Sequence, residues 1–350
     1  MSTRFTRFRT PITALGFAVL FSYSVQAEAA AVHSTPNAEA LWQQHLTQTL
    51  ETGLLQKGCE PFAKKARIKH RGTVLLFHGY TACPQQYEGL SDLLAQQGYA
   101  VFVPLLPGHG QRYLTNHPNT FSGKGDAIAL MPGQYELERY YAFSEHMSQL
   151  LVSESQERIV GGLSLGASLA VHSLYTFPQL AQRGFLISPL FDVAAPNRYL
   201  VPVLAPALPY QRISWGASCE QERLMGRAGY CEFNLTHVSA VQKLGRSLLH
   251  KLSAIQQPVQ IVGVEQDGAA SNAAIAEAHH ALPNNHTCLF QKGVSHSMLS
   301  PQDNPTRDMF WLSALNVQLL RFTKTGIYFD NTSQNSEYAL PQCNSQSPEK

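Results

Sequence analysis

Ser164 is flanked by glycines at the spacing of a sharp turn, in the run Gly162-Leu163-Ser164-Leu165-Gly166. A serine hydroxyl attacks a carbonyl only when a base removes its proton and backbone N–H groups stabilise the oxyanion that forms. A tight turn between a strand and a helix exposes such a hydroxyl, and it crowds the second residue on either side, which must then be glycine. The run predicts a nucleophile at Ser164; the alternative is a glycine turn without catalysis.

The sequence around this turn alternates between short apolar runs and amphipathic segments. The apolar runs, typical of buried strands, lie at 73–77, 99–106, 158–163, 184–188, 259–264 and 287–291. Helices are predicted between them at 85–97, 134–152, 165–175 and 272–282, and after the last at 307–322. Strands that alternate with helices form a mostly parallel sheet with helices on both faces. The predicted fold class is therefore α/β.

The regular alternation is interrupted between 190 and 248, where prolines are frequent and the pattern is irregular. This segment is too long for a simple connection and too apolar for a disordered linker, so we predict an inserted cap. The expected organisation is a signal peptide at 1–27, an N-terminal helix and lead-in at 28–72, the core at 73–189 and 249–324 around the cap at 190–248, and a polar C-terminal tail at 325–350.

The N-terminal residues have the three parts of a secretory signal peptide. Arginines without an acidic residue precede an apolar stretch at about 12–25, which ends with small residues at Ala27. The apolar stretch is shorter than the ~20 residues that a membrane-spanning helix needs. We therefore expect cleavage after Ala27, a secreted or periplasmic protein and no stable membrane span after cleavage. An uncleaved anchor is the alternative.

Charge and cysteine content limit the other partners. The net charge is only +2 and no concentrated basic face is visible, so nucleic-acid binding is not expected. An even number of cysteines in an exported protein predicts disulfides, and Cys219 with Cys231 is the first choice because the two flank a short polar loop. Unpaired buried thiols are the alternative, with Cys288 the first candidate. No CxxC pair exists, and neither a metal nor a cofactor is expected.

A longer match accompanies the serine turn. The run at 74–110, VLLFHGYTACPQQYEGLSDLLAQQGYAVFVPLLPGHG, resembles the opening of the esterase and monoacylglycerol-lipase-like branch of the α/β-hydrolase superfamily. The GLSLG turn is similar to that of the bacterial carboxylesterases in this branch. The resemblance covers roughly 73–322 and is weak through the cap. It implies the α/β-hydrolase fold.

The resemblance also implies which backbone groups would stabilise the oxyanion. In this family one N–H comes from the residue after a His-Gly pair, here Tyr80, and the other from the residue after the nucleophile, here Leu165. The chemistry is consistent with both positions. Gly79 allows a close approach of its loop, and the N–H of Leu165 lies at a helix start, where donors lack partners.

The acid and the base are expected in the order serine, acid, histidine along the chain. Asp267 follows the second-last predicted strand and His296 follows the last one. Asp267 would hold the imidazole in the tautomer that accepts the serine proton. Glu265 is the alternative acid. His78 is the alternative base, although its place at the end of the first strand favours the bracing of a loop.

Together these residues predict an exported serine hydrolase that cleaves carboxylic esters through an acyl-enzyme on Ser164. An apolar cap favours esters with short or medium acyl chains, or monoacyl lipids, as the small-molecule or lipid substrate. Amide or peptide hydrolysis, or acyl transfer, is the enzymatic alternative, because the same oxyanion groups would serve it. A non-catalytic binding module is the alternative from another class.

Overall fold

The computed structural model describes residues 38–51, 55–112, 127–152, 157–291, 293–305, 307–328 and 342–346. The predicted signal peptide at 1–27 and its cleavage site lie outside these residues. Within the described segments, no helix is both long and apolar enough to cross a membrane.

The first half of the chain leads to the serine turn and the strand that follows it. Its helices and strands are α1 (Ala38–Leu50), β1 (Phe62–Lys64), β2 (Gly72–Phe77), α2 (Glu88–Gln96), β3 (Tyr99–Val103), α3 (Leu137–Ser148), β4 (Glu157–Leu163), α4 (Leu165–Thr176) and β5 (Arg183–Ile187).

The second half contains the predicted insertion and the rest of the sheet. Its elements are α5 (Asn197–Leu204), β6 (Arg212–Ser214), α6 (Ala217–Leu224), β7 (Glu232–Asn234), α7 (Leu235–Leu249), β8 (Val259–Val264), α8 (Asn272–Ala281), β9 (Asn285–Phe290), α9 (Leu312–Thr325) and β10 (Gln342–Gln346).

One sheet of eight strands forms the centre of the fold, in the order β1-β3-β2-β4-β5-β8-β9-β10. The six inner strands run parallel, and β1 and β10 are antiparallel at the two edges. Every residue of β2 and of β8 is buried, as expected when both faces of a sheet are covered. Helices α2 and α9 cover one face, and α1, α3, α4, α7 and α8 cover the other. The predicted α/β class is confirmed.

Both edge strands lie in segments where the sequence predicted none. β1 falls in the lead-in at 28–72, and β10 falls in the polar tail at 325–350. β10 pairs with β9 in a register that places Cys343 opposite Cys288, and these two cysteines form a disulfide. The expectation of an unpaired Cys288 is therefore wrong, because the open edge of β9 is covered by a strand that carries its partner.

The other cysteines are also paired. Cys219 and Cys231 form the predicted disulfide, and Cys59 is bonded to Cys83. All six cysteines of the chain are thus in disulfides. Three disulfides fit a protein of an oxidising, extracellular compartment.

A buried carboxylate joins two helices of the segment between β5 and β8. The side chain of Asp192 is 2% exposed, and its Oδ2 lies 3.1 Å from Arg198 and 3.0 Å from Arg246. Its Oδ1 accepts a hydrogen bond of 2.7 Å from Gln242. Since Arg198 is on α5 and the other two are on α7, one aspartate near the start of the segment joins both helices. The domain boundaries themselves stay a prediction.

Candidate active site

Ser164 occupies the sharp turn between β4 and α4, with φ 57° and ψ −117°. A positive φ is uncommon for a residue other than glycine, and such strain is often found at functional sites. A Cβ atom on Gly162 would clash with the carbonyl oxygen of Gly166, and one on Gly166 would clash with that of Phe77. The turn therefore requires glycine at both positions, as the sequence indicated.

Backbone hydrogen bonds attach this turn to the next strand of the sheet. The N–H of Ser164 donates to the carbonyl of Ile187 over 2.9 Å, and the N–H of Leu190 donates to the carbonyl of Ser164 over 3.2 Å. The Ser164 side chain is thus held at the carboxyl end of the parallel strands, where ligands of open α/β sheets bind.

Asp267 and His296 are in direct contact at the same end of the sheet. Nδ1 of His296 lies 2.6 Å from Oδ2 of Asp267, and the other carboxylate oxygen accepts hydrogen bonds of 2.8 and 3.0 Å from the N–H groups of Ala269 and Ala270. The Asp267 side chain is fully buried, whereas that of His296 is 21% exposed. Three donors therefore fix this carboxylate, and Asp267 rather than Glu265 holds the histidine.

The contact shifts the pKa of both residues. Burial by itself raises the pKa of Asp267, but the charge of His296 and the hydrogen bonds from His296, Ala270 and Ala269 together lower it below its usual value. Burial likewise lowers the pKa of His296, and the charge and hydrogen bond of Asp267 together raise it above 6.5. An ionised Asp267 accepts a hydrogen bond from the N–H group at Nδ1, so the neutral imidazole presents Nε2 as an acceptor.

The N–H groups of Tyr80 and Leu165 lie on the two loops that meet at Ser164. Gly79 packs against this turn so closely that a Cβ atom on it would lie 2.9 Å from the Leu163 side chain. Neither N–H, of Tyr80 or of Leu165, donates a hydrogen bond within the described part of the chain.

His78 does not face this site. It is completely buried; its Nε2 accepts a hydrogen bond of 3.0 Å from the N–H of Leu106, and its Nδ1 lies 3.0 Å from the carbonyl of Gly79. Burial, helped by the neighbouring His109, lowers its pKa well below the usual value, although the bond to Gly79 acts in the opposite direction. A neutral His78 therefore braces the loop before Tyr80, and the alternative assignment as the base is wrong.

Ser164 and His296 line one pocket of about 380 Å³, together with Tyr80. One wall of this pocket is polar and charged, and it is formed by Gln86, Glu222, Arg227 and Asp303. The sequence analysis did not single out these four residues. Gln86 and Asp303 are in contact but 217 positions apart in the chain, so no spacing could indicate them.

An apolar cavity of about 300 Å³ adjoins this pocket. The two share the lining residues Tyr80, Leu190, Trp215, Gly268 and Ala269. The remaining wall of the cavity is mostly aliphatic and comes from the segment between β5 and β8, including Val201, Leu204, Leu208, Val238 and Val241. The site therefore has a polar side and an apolar side that meet near the serine.

Comparison with known proteins identifies the family of the chain. Residues 74–309 match the family model described as "Alpha/beta hydrolase family". The chain belongs to this family. One curated relative of this α/β-hydrolase is the thermostable monoacylglycerol lipase of Bacillus sp. (strain H-257), which is 30% identical over 124 residues. That match covers 35% of this chain and 42% of the relative, so the chain aligns with less than half of the relative's length.

Solved structures share the fold of this α/β-hydrolase. The monoacylglycerol lipase of Paleococcus ferrophilus has a TM-score of 0.56 at 16% identity, over 75% of this chain and 98% of that one. A soluble variant of the monoglyceride lipase of Saccharomyces cerevisiae, in complex with a substrate analogue, also has a TM-score of 0.56 at 16% identity. It covers 77% of this chain and 92% of that one. At such identities the likeness shows the fold.

Proposed function

We propose that this α/β-hydrolase is an exported serine hydrolase that cleaves carboxylic esters through an acyl-enzyme on Ser164. His296 is the general base and Asp267 orients it. The observation that carries the proposal is the Asp267–His296 contact of 2.6 Å beside a pocket that Ser164 and His296 line together. A base held by a buried acid next to a serine in a strained turn is the arrangement that nucleophilic catalysis requires.

The proposed reaction has two halves. Ser164 Oγ attacks the ester carbonyl while His296 Nε2 takes the hydroxyl proton, and Asp267 stabilises the imidazolium that forms. The N–H groups of Tyr80 and Leu165 hold the oxyanion of the tetrahedral intermediate. The alcohol then leaves with the proton from His296. In the second half a water molecule gives a proton to His296 and its oxygen bonds to the acyl carbon; the bond from that carbon to Oγ then breaks, Oγ takes the proton back from His296, and the acid is released.

The proposed substrate has an apolar acyl chain and a polar alcohol. The cavity lined by Val201, Leu204 and Val238 fits the acyl chain, because aliphatic walls bind hydrocarbon without leaving polar groups unpaired. The wall with Glu222 and Arg227 fits a hydroxylated alcohol. Short- or medium-chain esters and monoacyl lipids satisfy both conditions, and the relatives named monoacylglycerol lipases are consistent with them. In this proposal the segment at 190–248 is a cap over the site.

A fluorophosphonate probe and a series of p-nitrophenyl esters test the proposed chemistry. We expect the wild type to be labelled at Ser164 and to hydrolyse the esters, and Ser164→Ala to lose both properties. Ser253→Ala is the matched control, since this serine is exposed and lies outside both cavities. Hydrolysis of anilides in preference to esters would favour the amide hydrolase, and absence of both labelling and turnover would favour a binding module.

Export is the second part of the proposal. The three disulfides support it, because such bonds persist in oxidising compartments. The signal peptide at 1–27 is proposed to be removed after Ala27. Mass spectrometry of the protein recovered from the periplasm or the medium of a bacterial host should give an N-terminus at Glu28, and retention of the full-length chain in the cytoplasm would contradict export.

A further inference from the structure

Three buried side chains beside the site form a series of polar contacts, and none of the three takes part in the bond-making steps of the proposed reaction. Oε1 of Gln86 accepts a hydrogen bond of 2.9 Å from the N–H of Gly79, and Nε2 of Gln86 donates one of 2.6 Å to Oδ2 of Asp303. The other oxygen of Asp303 lies 3.5 Å from Nε of Arg227. These contacts connect the inserted segment to the loop that carries Tyr80.

The direction of these bonds fixes the orientation of Gln86. The backbone N–H of Gly79 can only donate, so it faces the amide oxygen, and the NH₂ group of the amide then faces the Asp303 carboxylate as its acceptor. Without Asp303 the amide could rotate, and its NH₂ group would face the N–H of Gly79.

Asp303 carries a carboxyl group that is unfavourable to bury. Its side chain is 3% exposed and that of Arg227 is 8% exposed. A buried carboxylate needs a countercharge and hydrogen bonds, and Arg227 and Gln86 provide them. Arg227 lies inside the loop that the Cys219–Cys231 disulfide closes, so its position is fixed by a covalent bond of the inserted segment.

The loop that carries Tyr80 is held on its other side as well. Thr81 has φ 58°, which is unfavourable for a β-branched residue and persists only when surrounding contacts impose it. The carbonyl of Thr81 accepts a hydrogen bond of 2.7 Å from the N–H of Tyr230, and its hydroxyl accepts one of 2.9 Å from the Trp215 indole. The peptide N–H of Tyr80 thus lies between two anchored residues.

We propose that Gln86 and Asp303 are positioning residues, which hold the N–H of Tyr80 at the place where the oxyanion forms. Arg227 keeps the Asp303 carboxylate in the orientation that Gln86 needs. The inference rests on the proposed esterase reaction and assigns to these residues an effect on the transition state rather than on substrate binding.

Gln86→Met tests the inference, because methionine keeps the length of the side chain and removes both hydrogen bonds. We expect kcat to fall by about 10- to 100-fold, since a misplacement of about 1 Å at a reacting centre costs on the order of 10²-fold. KM should change little. The inhibition constant of a trifluoromethyl ketone with the substrate's acyl chain should rise by a similar factor, because its adduct on Ser164 carries the oxyanion.

Gln85→Met is the matched control. The neighbouring Gln85 also bonds to the inserted segment, through a hydrogen bond of 3.1 Å from the N–H of Ala228, but it has no bond to Gly79. We expect its kcat and its affinity for the ketone to equal those of the wild type. An equal loss of kcat in both variants would show that the residues at 85 and 86 act only by holding the inserted segment in place, and it would overturn the inference.

Exchange of the amide and the carboxylate gives a second, independent test. Gln86→Glu places two carboxyl groups in contact and should lower kcat. Addition of Asp303→Asn restores one amide and one carboxylate, with the same net charge and an acceptor again facing Gly79. The double variant should recover most of the lost kcat, because contacting residues couple. Failure of this recovery would overturn the inference, even if Gln86→Met does not fold.

Fluorophosphonate labelling separates this inference from the proposed function. A wild type that is neither labelled nor active would overturn the esterase proposal. A wild type that is labelled and active, with Gln86→Met at the same kcat, would overturn only the role of Gln86 and Asp303.

Discussion

Nδ1 of His296 lies 2.6 Å from Oδ2 of Asp267, which joins loops 29 residues apart in the chain. Because the carboxylate accepts a hydrogen bond from Nδ1–H, the proton stays on Nδ1 and Nε2 remains free to take a proton from the pocket side. The contact also raises the pKa of His296, despite the burial that lowers it, since the charge and the hydrogen bond of Asp267 outweigh burial. The pH dependence of turnover follows from this relationship.

We expect kcat/KM to rise with pH through a midpoint above 6.5, the ordinary pKa of histidine. Below its pKa, His296 is protonated and cannot accept the proton of Ser164; above it, the imidazole is neutral and competent. Asp267→Asn removes the charge that raises this pKa. The pH midpoint of this variant should fall. Its kcat should drop by on the order of 10⁴-fold, because the imidazole is no longer held in the tautomer that accepts the serine proton.

Initial rates from pH 4 to 9 with a p-nitrophenyl ester, corrected for ionisation of the nitrophenol, measure both quantities. A midpoint for Asp267→Asn equal to or above that of the wild type would contradict the assignment of Asp267.

Gly166→Ala should damage both stability and activity. The added Cβ atom would clash with the carbonyl oxygen of Phe77, and backbone cannot move aside as a flexible side chain can. We expect a loss of roughly 1–3 kcal/mol in the free energy of unfolding, as for overpacking in a core. The turn that holds Ser164 should shift, so kcat should also fall by at least about 10²-fold.

Gly89→Ala is the matched control, because Gly89 lies exposed in α2 and a Cβ atom there meets nothing within 4 Å. This substitution should instead stabilise the protein by about 0.5–1 kcal/mol, through the helix propensity of alanine. Urea unfolding followed by circular dichroism measures both variants. Equal stabilities of Gly166→Ala and Gly89→Ala would show that the turn tolerates a side chain.

The sequence predicted the parts of the fold that depend on local pattern. The inner strands have continuous apolar runs because both of their faces are buried, and the two glycines around Ser164 reflect a steric requirement of one turn. β1 and β10 have no such pattern. Each covers one edge of the sheet, and β10 depends on its pairing with β9 and on the bond between Cys288 and Cys343.

The polar wall of the site could not be predicted from the sequence either. Asp303 and Gln86 are ordinary polar residues in the sequence, and only the fold brings them together. His78 illustrates the opposite case. Its position at the end of β2 indicated a bracing role, and burial with two backbone contacts is the environment that such a role needs.

Val238→Trp should shorten the acyl chains that the protein accepts. Val238 lies on α7 and lines the apolar cavity of about 300 Å³, so a larger side chain fills part of that volume. Each CH₂ group excluded from the cavity forfeits about 0.8 kcal/mol of transfer free energy. Relative to the wild type, kcat/KM for the longest p-nitrophenyl esters should fall by at least about 10-fold while acetate is hydrolysed at a similar rate.

Val203→Trp controls for the effect of a tryptophan on the inserted segment. Val203 lies on α5 and is 72% exposed, and it is not among the residues that line the cavity. Its profile against acyl length should match the wild type. An unchanged profile in Val238→Trp would place the acyl chain elsewhere.

Asp192→Ala should loosen the contact between α5 and α7. The carboxylate is 2% exposed and lies within 3.1 Å of Arg198 and 3.0 Å of Arg246. The side chains of Arg198 and Arg246 are 27% and 39% exposed, so water can hydrate the charges that remain, and the loss of the charged hydrogen bonds should cost about 1–3 kcal/mol. We expect a loss of this size in the free energy of unfolding, measured by urea denaturation, together with faster amide hydrogen exchange in α5 and α7. Arg223→Met, which breaks the exposed contact with Glu220, should cost less than about 1 kcal/mol. Equal losses in the two variants would show that Asp192 does not hold α5 and α7 together.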